Sequence, residues 1–225
     1  MSMAGDNTLA AEDVREARTL RATRLPRAER RQQILRAAAT AFVSRGFDGT
    51  SMEEVARAAG VTRLIVYRIF ESKEALYLAV LSSVLDDLAD RFDPPLGAPP
   101  VNPRSSIAAE LLHVARSQPD GFRLLWRHAS NEPEFGWLAA TFREAATEYA
   151  VALIATSLAD PTMVQWAAES LVSHLYESIC LWLDRGDPTR DPQFLHMLTE
   201  GVRAMVTEWA RTDVQPAPTK VDQSG

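Results

Sequence analysis

From Ile34 to Trp209 the large apolar residues recur at steps of three and four, and the recurrence breaks where glycine or proline stands. That spacing places apolar side chains along one face of a helix. No run of β-branched residues alternates with a period of two, so a sheet has nothing to be built from. The breaks fall at Gly46, Gly60, the five-proline segment Asp93 to Pro103, Pro119, Pro133, Asp160-Pro161 and Gly186-Asp187-Pro188. The pattern predicts an all-α chain of about nine helices. Four end near Gly46, Gly60, Phe70 and Phe92, and five more run near 104–117, 120–130, 134–158, 162–185 and 191–212.

Local signals sharpen the first four. Pro26 suits a helix start, and Ile34, Leu35, Ala38, Ala41 and Phe42 form the apolar stripe that Gly46 stops. Ser51 and Glu54 have the spacing of a capping box for a short second helix, whose buried side is Val55, Ala56 and Ala59. Thr62 can cap the third helix and Ser72 the fourth, which opens with Lys73. Two short helices joined at Gly60, with a longer helix before them, describe a helix-turn-helix. Residues 25–72 are therefore expected to form a three-helix DNA-binding domain, and residues 73–212 a larger helical domain. Residues 1–24 read as a mobile arm with Arg15, Arg18, Arg21 and Arg24 at every third position, either a solvated charge run or a strap against DNA. Residues 213–225 read as a disordered tail.

The net charge of −6 is unevenly spread. Residues 14–80 hold 13 Arg and Lys against 7 Asp and Glu, whereas residues 81–225 hold 11 against 20. A basic third on an acidic body fits a module that meets DNA joined to one that avoids it. Hydrophobic residues make up 46% of the chain, enough for a sizeable core. The single cysteine, Cys180, permits no internal disulfide, and the chain shows no signal-peptide pattern and no membrane-length apolar run. A cytoplasmic protein is expected, with no membrane partner.

The string TSMEEVARAAGVTRLIVYRIFESKEAL, from Thr50 to Leu76, closely resembles the signature of the TetR family of transcriptional regulators. The preceding QQILRAAATAFVSRGFDGT resembles that family's first helix and its exit, so the motif likeness spans roughly residues 26–82. The helical pattern itself turns Val55, Ala59, Val61, Val66 and Phe70 inward. It leaves Thr62, Arg63, Ile65, Tyr67, Arg68 and Ile69 in some mixture on the outward side of the third helix. Arg63 can reach a guanine edge or a phosphate, Tyr67 and Arg68 suit the flanking backbone, and Lys73 stands at the positive end of the fourth helix. Thr50 and Ser51 can serve likewise at the second helix, although Ser51 is equally explained as a plain cap. The chain departs from the family in carrying Leu64 where a small residue is usual and Ile69 where a polar or aromatic one is common.

In the larger domain, the resemblance implies that the last two helices pair with those of a second copy into a four-helix dimer bundle; packing within the monomer is the alternative. Five tryptophans lie there, each explained by core packing or by a ligand site. The family also implies an effector pocket roofed by the fourth helix. The candidate lining is Phe122, Trp126, Trp137, Phe142 and Tyr149, with His113, Arg127 and His174 as polar groups to orient a ligand. The four histidines have no metal spacing, no catalytic motif is present, and no cofactor is expected. The expectation is a dimeric regulator of a palindromic double-stranded operator, not an enzyme, and a repressor released by a largely apolar small molecule. The alternatives are a ligand-independent or architectural DNA-binding protein, or a helical enzyme.

Overall fold

A computed structural model describes residues 26–92 and 106–213. The arm 1–24, the whole of the proline-rich segment Asp93 to Pro103 and residues 214–225 lie outside the described residues. Nine α-helices and no strand occur among those described. They are α1 (Arg27–Arg45), α2 (Met52–Ala58), α3 (Arg63–Ile69), α4 (Lys73–Arg91), α5 (Ile107–Ser117), α6 (Pro119–Arg123), α7 (Gly136–Ile154), α8 (Pro161–Arg185) and α9 (Asp191–Asp213). No helix among these residues is long and apolar enough to cross a membrane.

The start and stop signals act as their chemistry requires. At Gly46 the backbone turns to φ 71°, a left-handed conformation glycine adopts freely, and its N–H donates to the carbonyl of Phe42. Gly60, at φ 62°, makes the turn between α2 and α3. The Ser51–Glu54 capping box forms in both directions, and Ser72 accepts from the N–H of Ala75. Thr62 departs from expectation, since its side chain makes no cap hydrogen bond at α3.

The helix expected over 120–130 is the main departure. After α6 the chain widens into a π-turn over Leu124–His128, with the N–H of Ala129 reaching back to Leu124, and then tightens into a 3-10 turn over Ala129–Asn131. Leu124, Leu125 and Trp126 are consecutive and all buried, which one face of a regular α-helix does not accommodate. Arg143 of α7 holds this turn, donating to the Trp126 carbonyl at 2.7 Å with its guanidinium 3.8 Å from the Trp126 ring centre.

Residues 72 and 73 mark a change of helix without a break in packing. One core runs from Ile34 in α1 to Leu198 in α9. Its joint is aromatic: Tyr77 of α4 lies 4.9 Å from Phe42, 5.4 Å from Phe47 and 4.4 Å from Phe135 between ring centres. Polar bonds cross the same joint, from Thr40 of α1 to Asp120 of α6 at 2.6 Å and from the N–H of Phe47 to Glu132 at 3.3 Å.

Candidate DNA-reading surface and ligand cavity

Val66 and Phe70 bury the inner side of α3, and Ile65 and Ile69, also four apart, pack half-buried beside them. What remains outward is Thr62, Arg63, Leu64, Tyr67 and Arg68, all exposed. The two isoleucines therefore leave the list of outward residues. Leu64, at 71% exposure, is the apolar side chain that α3 presents, in a position to meet a thymine methyl. Arg63 is held before any ligand arrives: its guanidinium carbon lies 5.2 Å from the Tyr67 ring centre and its nitrogen 3.5 Å from the Tyr67 hydroxyl. No acidic residue stands in the first turn of α3.

The flanking candidates divide. Ser51 is exposed but engaged in the capping box, whose Glu54 also pairs with Arg45. The hydrogen bond from the Ser51 backbone holds the Glu54 carboxyl below the usual carboxylate range. Thr50 is buried, and its hydroxyl donates to the Gly46 carbonyl at 2.8 Å, so its side chain closes the turn after α1 and is not offered to DNA. Lys73 is half-buried and donates to the carbonyl of Phe47.

Behind this surface α4, α5, α7, α8 and α9 line a partly open cavity of about 940 Å³. Leu85, Leu88, Ala89 and Phe92 line it from the α4 side, Ile107 and Leu111 from α5, and Val202 and Val206 from α9. Its polar side chains are Asp90, Thr141, Tyr149 and Tyr176. A largely apolar hollow with few polar groups has the make-up of a small-molecule site.

Two of the eight expected lining residues, Phe142 and Tyr149, reach this cavity. Phe122 and Trp126 are buried behind its wall, stacked on Tyr176 with ring centres 5.6 and 4.8 Å away. Arg127 is committed to ion pairs, 2.6 Å from Glu177 and 2.7 Å from Asp184, and the Glu177 hydrogen bond raises its already high pKa. Trp137 is 60% exposed, because Leu138 one position later takes the inward place on α7. His113 and His174 are exposed on the outer sides of α5 and α8, whose inward places belong to Leu111 and to Val172, Leu175 and Tyr176. Tyr176 was missed. By its spacing α8 carries Ala167, Leu171, His174, Leu175, Ser178 and Trp182 along one stripe. Ala167 and Leu171 are buried accordingly, but His174 is exposed, and the buried set also takes in Val164, Ala168, Val172, Tyr176, Ile179 and Cys180.

Comparison with known proteins adds to this geometry. Residues 34–80 match the family model described as bacterial regulatory proteins, tetR family. The HTH-type transcriptional activator FasR of Mycolicibacterium smegmatis is 33% identical over 172 residues, which cover 75% of this chain and 78% of that protein. The HTH-type transcriptional regulator RutR of Escherichia coli K12 is 46% identical over 57 residues, 25% of this chain and 27% of its own. Among solved structures, a TetR-like transcriptional regulator from Rhodococcus sp. RHA1 superposes with a TM-score of 0.61 at 23% identity, covering 80% of this chain and 99% of that one. NalD of Pseudomonas aeruginosa, described as the secondary repressor of a multidrug efflux pump, gives 0.52 at 24% identity over 77% and 95%. Both likenesses are of fold.

Proposed function

The chain belongs to the TetR family of bacterial transcriptional regulators, which bind DNA through their helix-turn-helix, and from that premise we propose that it is a homodimeric repressor released from a palindromic operator when a largely apolar small molecule fills its cavity. The observation that carries this reading is the course of α4. One end bears Lys73 beside the reading surface, and the other lines the cavity with Leu85, Leu88 and Ala89. A ligand that repositions α4 repositions α3. A second route runs through Tyr176, whose ring packs on Phe122 and Trp126. From there α6 reaches α1 through the Asp120–Thr40 hydrogen bond. Packed helices with two discrete arrangements are the means by which a small shift at one site becomes a large one at another.

Dimerisation is supported by what α8 and α9 leave open. Leu198 is the one fully buried residue of α9 within the monomer, where Phe194, Val202, Met205 and Trp209 of its apolar stripe are only half-buried against neighbouring helices. Met163, Trp166 and Leu181 of α8 and Met197 of α9 are exposed. A Cβ added at Gly201 would meet nothing within 4 Å, which leaves room for the close approach of a second copy. Two recognition helices related by a two-fold axis read inverted half-sites.

The relative from M. smegmatis is named an activator, which favours a second reading: the same ligand-controlled DNA binding with the operator placed so that occupancy promotes transcription. Sequencing the genomic fragments retained by the purified protein tests both. The expected result is one inverted repeat with half-site centres about one or two helical turns apart, roughly 10 or 20 base pairs, and a dimer by sedimentation. A monomer at micromolar concentration that retains fragments without a shared repeat contradicts the proposal. The position of the repeat relative to the promoter then separates repressor from activator.

A further inference from the structure

Tyr176 sits in the cavity wall at 7% exposure, and its hydroxyl makes no hydrogen bond to any described residue. Its ring cannot swing away to find a partner. Phe122 and Trp126 stack against it, and Phe142 meets it edge-on with centres 5.3 Å apart. Among the described residues the side-chain oxygen that is both sealed from solvent and unpartnered is that of Tyr77; the Tyr176 oxygen keeps some access, so a water or a ligand oxygen can reach it. Burial also pushes the phenol's pKa upward, so the group stays neutral and keeps a proton to donate. Tyr149, at 8% exposure, has only the Phe92 ring as an aromatic neighbour, 6.1 Å away.

The rest of the lining restricts charge. None of the described lining residues is Lys, Arg or His, and the one charged group is the exposed carboxylate of Asp90. Moving an anionic head among these described residues strips its water, and none of them offers a cation in return. Resting on the reading of this cavity as the effector site, we propose that its ligand is an uncharged, largely apolar molecule carrying a carbonyl or ether oxygen. The Tyr176 hydroxyl donates to that oxygen and selects it. Because the same ring abuts α6, the residue that recognises the polar atom is also the one whose position the DNA-binding side can register.

The test uses three probes on the full chain. Diphenylhexatriene, a hydrocarbon that fluoresces in apolar sites, reports the cavity, and 2-decanone and decanoate compete for it at pH 7.5. Tyr176→Phe is expected to leave diphenylhexatriene binding within twofold of wild type while weakening 2-decanone about fivefold, the usual worth of one neutral hydrogen bond. Tyr149→Phe is expected to leave 2-decanone within twofold, and decanoate to compete at least tenfold less well than the ketone. An unchanged 2-decanone affinity in Tyr176→Phe, a loss confined to Tyr149→Phe, or decanoate equal to the ketone overturns the inference and leaves the cavity a ligand site. Failure of diphenylhexatriene to bind wild type overturns the effector reading itself.

Discussion

The ammonium of Lys73 donates to the main-chain oxygen of Phe47 at 2.8 Å and lies 4.2 Å from the centre of that residue's ring. The start of α4 is thereby tied to the turn that leaves α1. A lysine in this place has two tasks, since two of its three N–H groups remain to meet a phosphate. Lys73→Ala is expected to lower stability by about 1 kcal/mol in urea unfolding. It should also weaken specific and random duplexes by the same factor. Wild-type values in both measurements would remove Lys73 from both roles.

Arg63 is a different kind of contact. Stacked on Tyr67 and exposed, it contributes nothing to the core, so Arg63→Ala should melt as wild type does. Its loss is expected on the preferred duplex, roughly five- to hundredfold in affinity, with little change on random DNA. Equal loss on both duplexes would make it a phosphate contact instead.

Asp191 joins three helices. Its carboxylate accepts from Arg116 of α5 at 2.7 and 3.1 Å and from the indole N–H of Trp182 of α8 at 2.6 Å. The Arg116 hydrogen bonds, against the opposing effect of burial, hold its pKa below the ordinary aspartate value. A folded pKa below the unfolded one, about 3.9, gives stability that is complete well above that value and fades as pH falls through and below it. Asp191→Asn is therefore expected to cost on the order of 1–3 kcal/mol at pH 7. The gap in melting temperature between the two proteins should narrow below about pH 4. A gap that persists at pH 3, or none at pH 7, contradicts this.

Cys180 lies fully buried on α8, and burial pushes its thiol pKa up to about 12. Thiolate is the reactive form, so its population at pH 8 is lower than that of a free cysteine by on the order of a thousandfold. An aromatic disulfide reagent should leave the native protein unlabelled over hours and label it at once in denaturant. Rapid native labelling would mean that α8 opens far more readily than its packing implies.

The reading module was the most legible part of the chain because its signals are local. A capping box, glycines with positive φ and a helical stripe each act within a few residues, so Ser51, Gly46 and Val66 do what their positions announce. The cavity was less legible, since it is made where five helices meet and only the phase of each helix decides what faces it. Phe142 and Tyr149 share a face of α7 with Leu138, but Trp137, larger than any of them, falls one step out of phase. On α8 the same error of phase put His174 inside and left Tyr176 unnoticed. Arg127 shows a further limit: a cation among apolar neighbours in sequence found Glu177 and Asp184 across the fold, 50 and 57 residues on. Nothing near Thr40 or Phe47 in sequence indicates Asp120 or Glu132 as partners.

The coupling of cavity to reading surface is tested most directly by the anisotropy of a labelled operator duplex, titrated with wild type and with Ala146→Trp, which obstructs the cavity. Each titration is run with and without a compound that raises the wild-type melting temperature. Wild-type affinity for the operator is predicted to fall about 5- to 150-fold when the compound is present, and the Ala146→Trp variant to bind the operator with no such response. Operator affinity unchanged within twofold in wild type, with the compound demonstrably bound, would contradict control of DNA binding through this cavity.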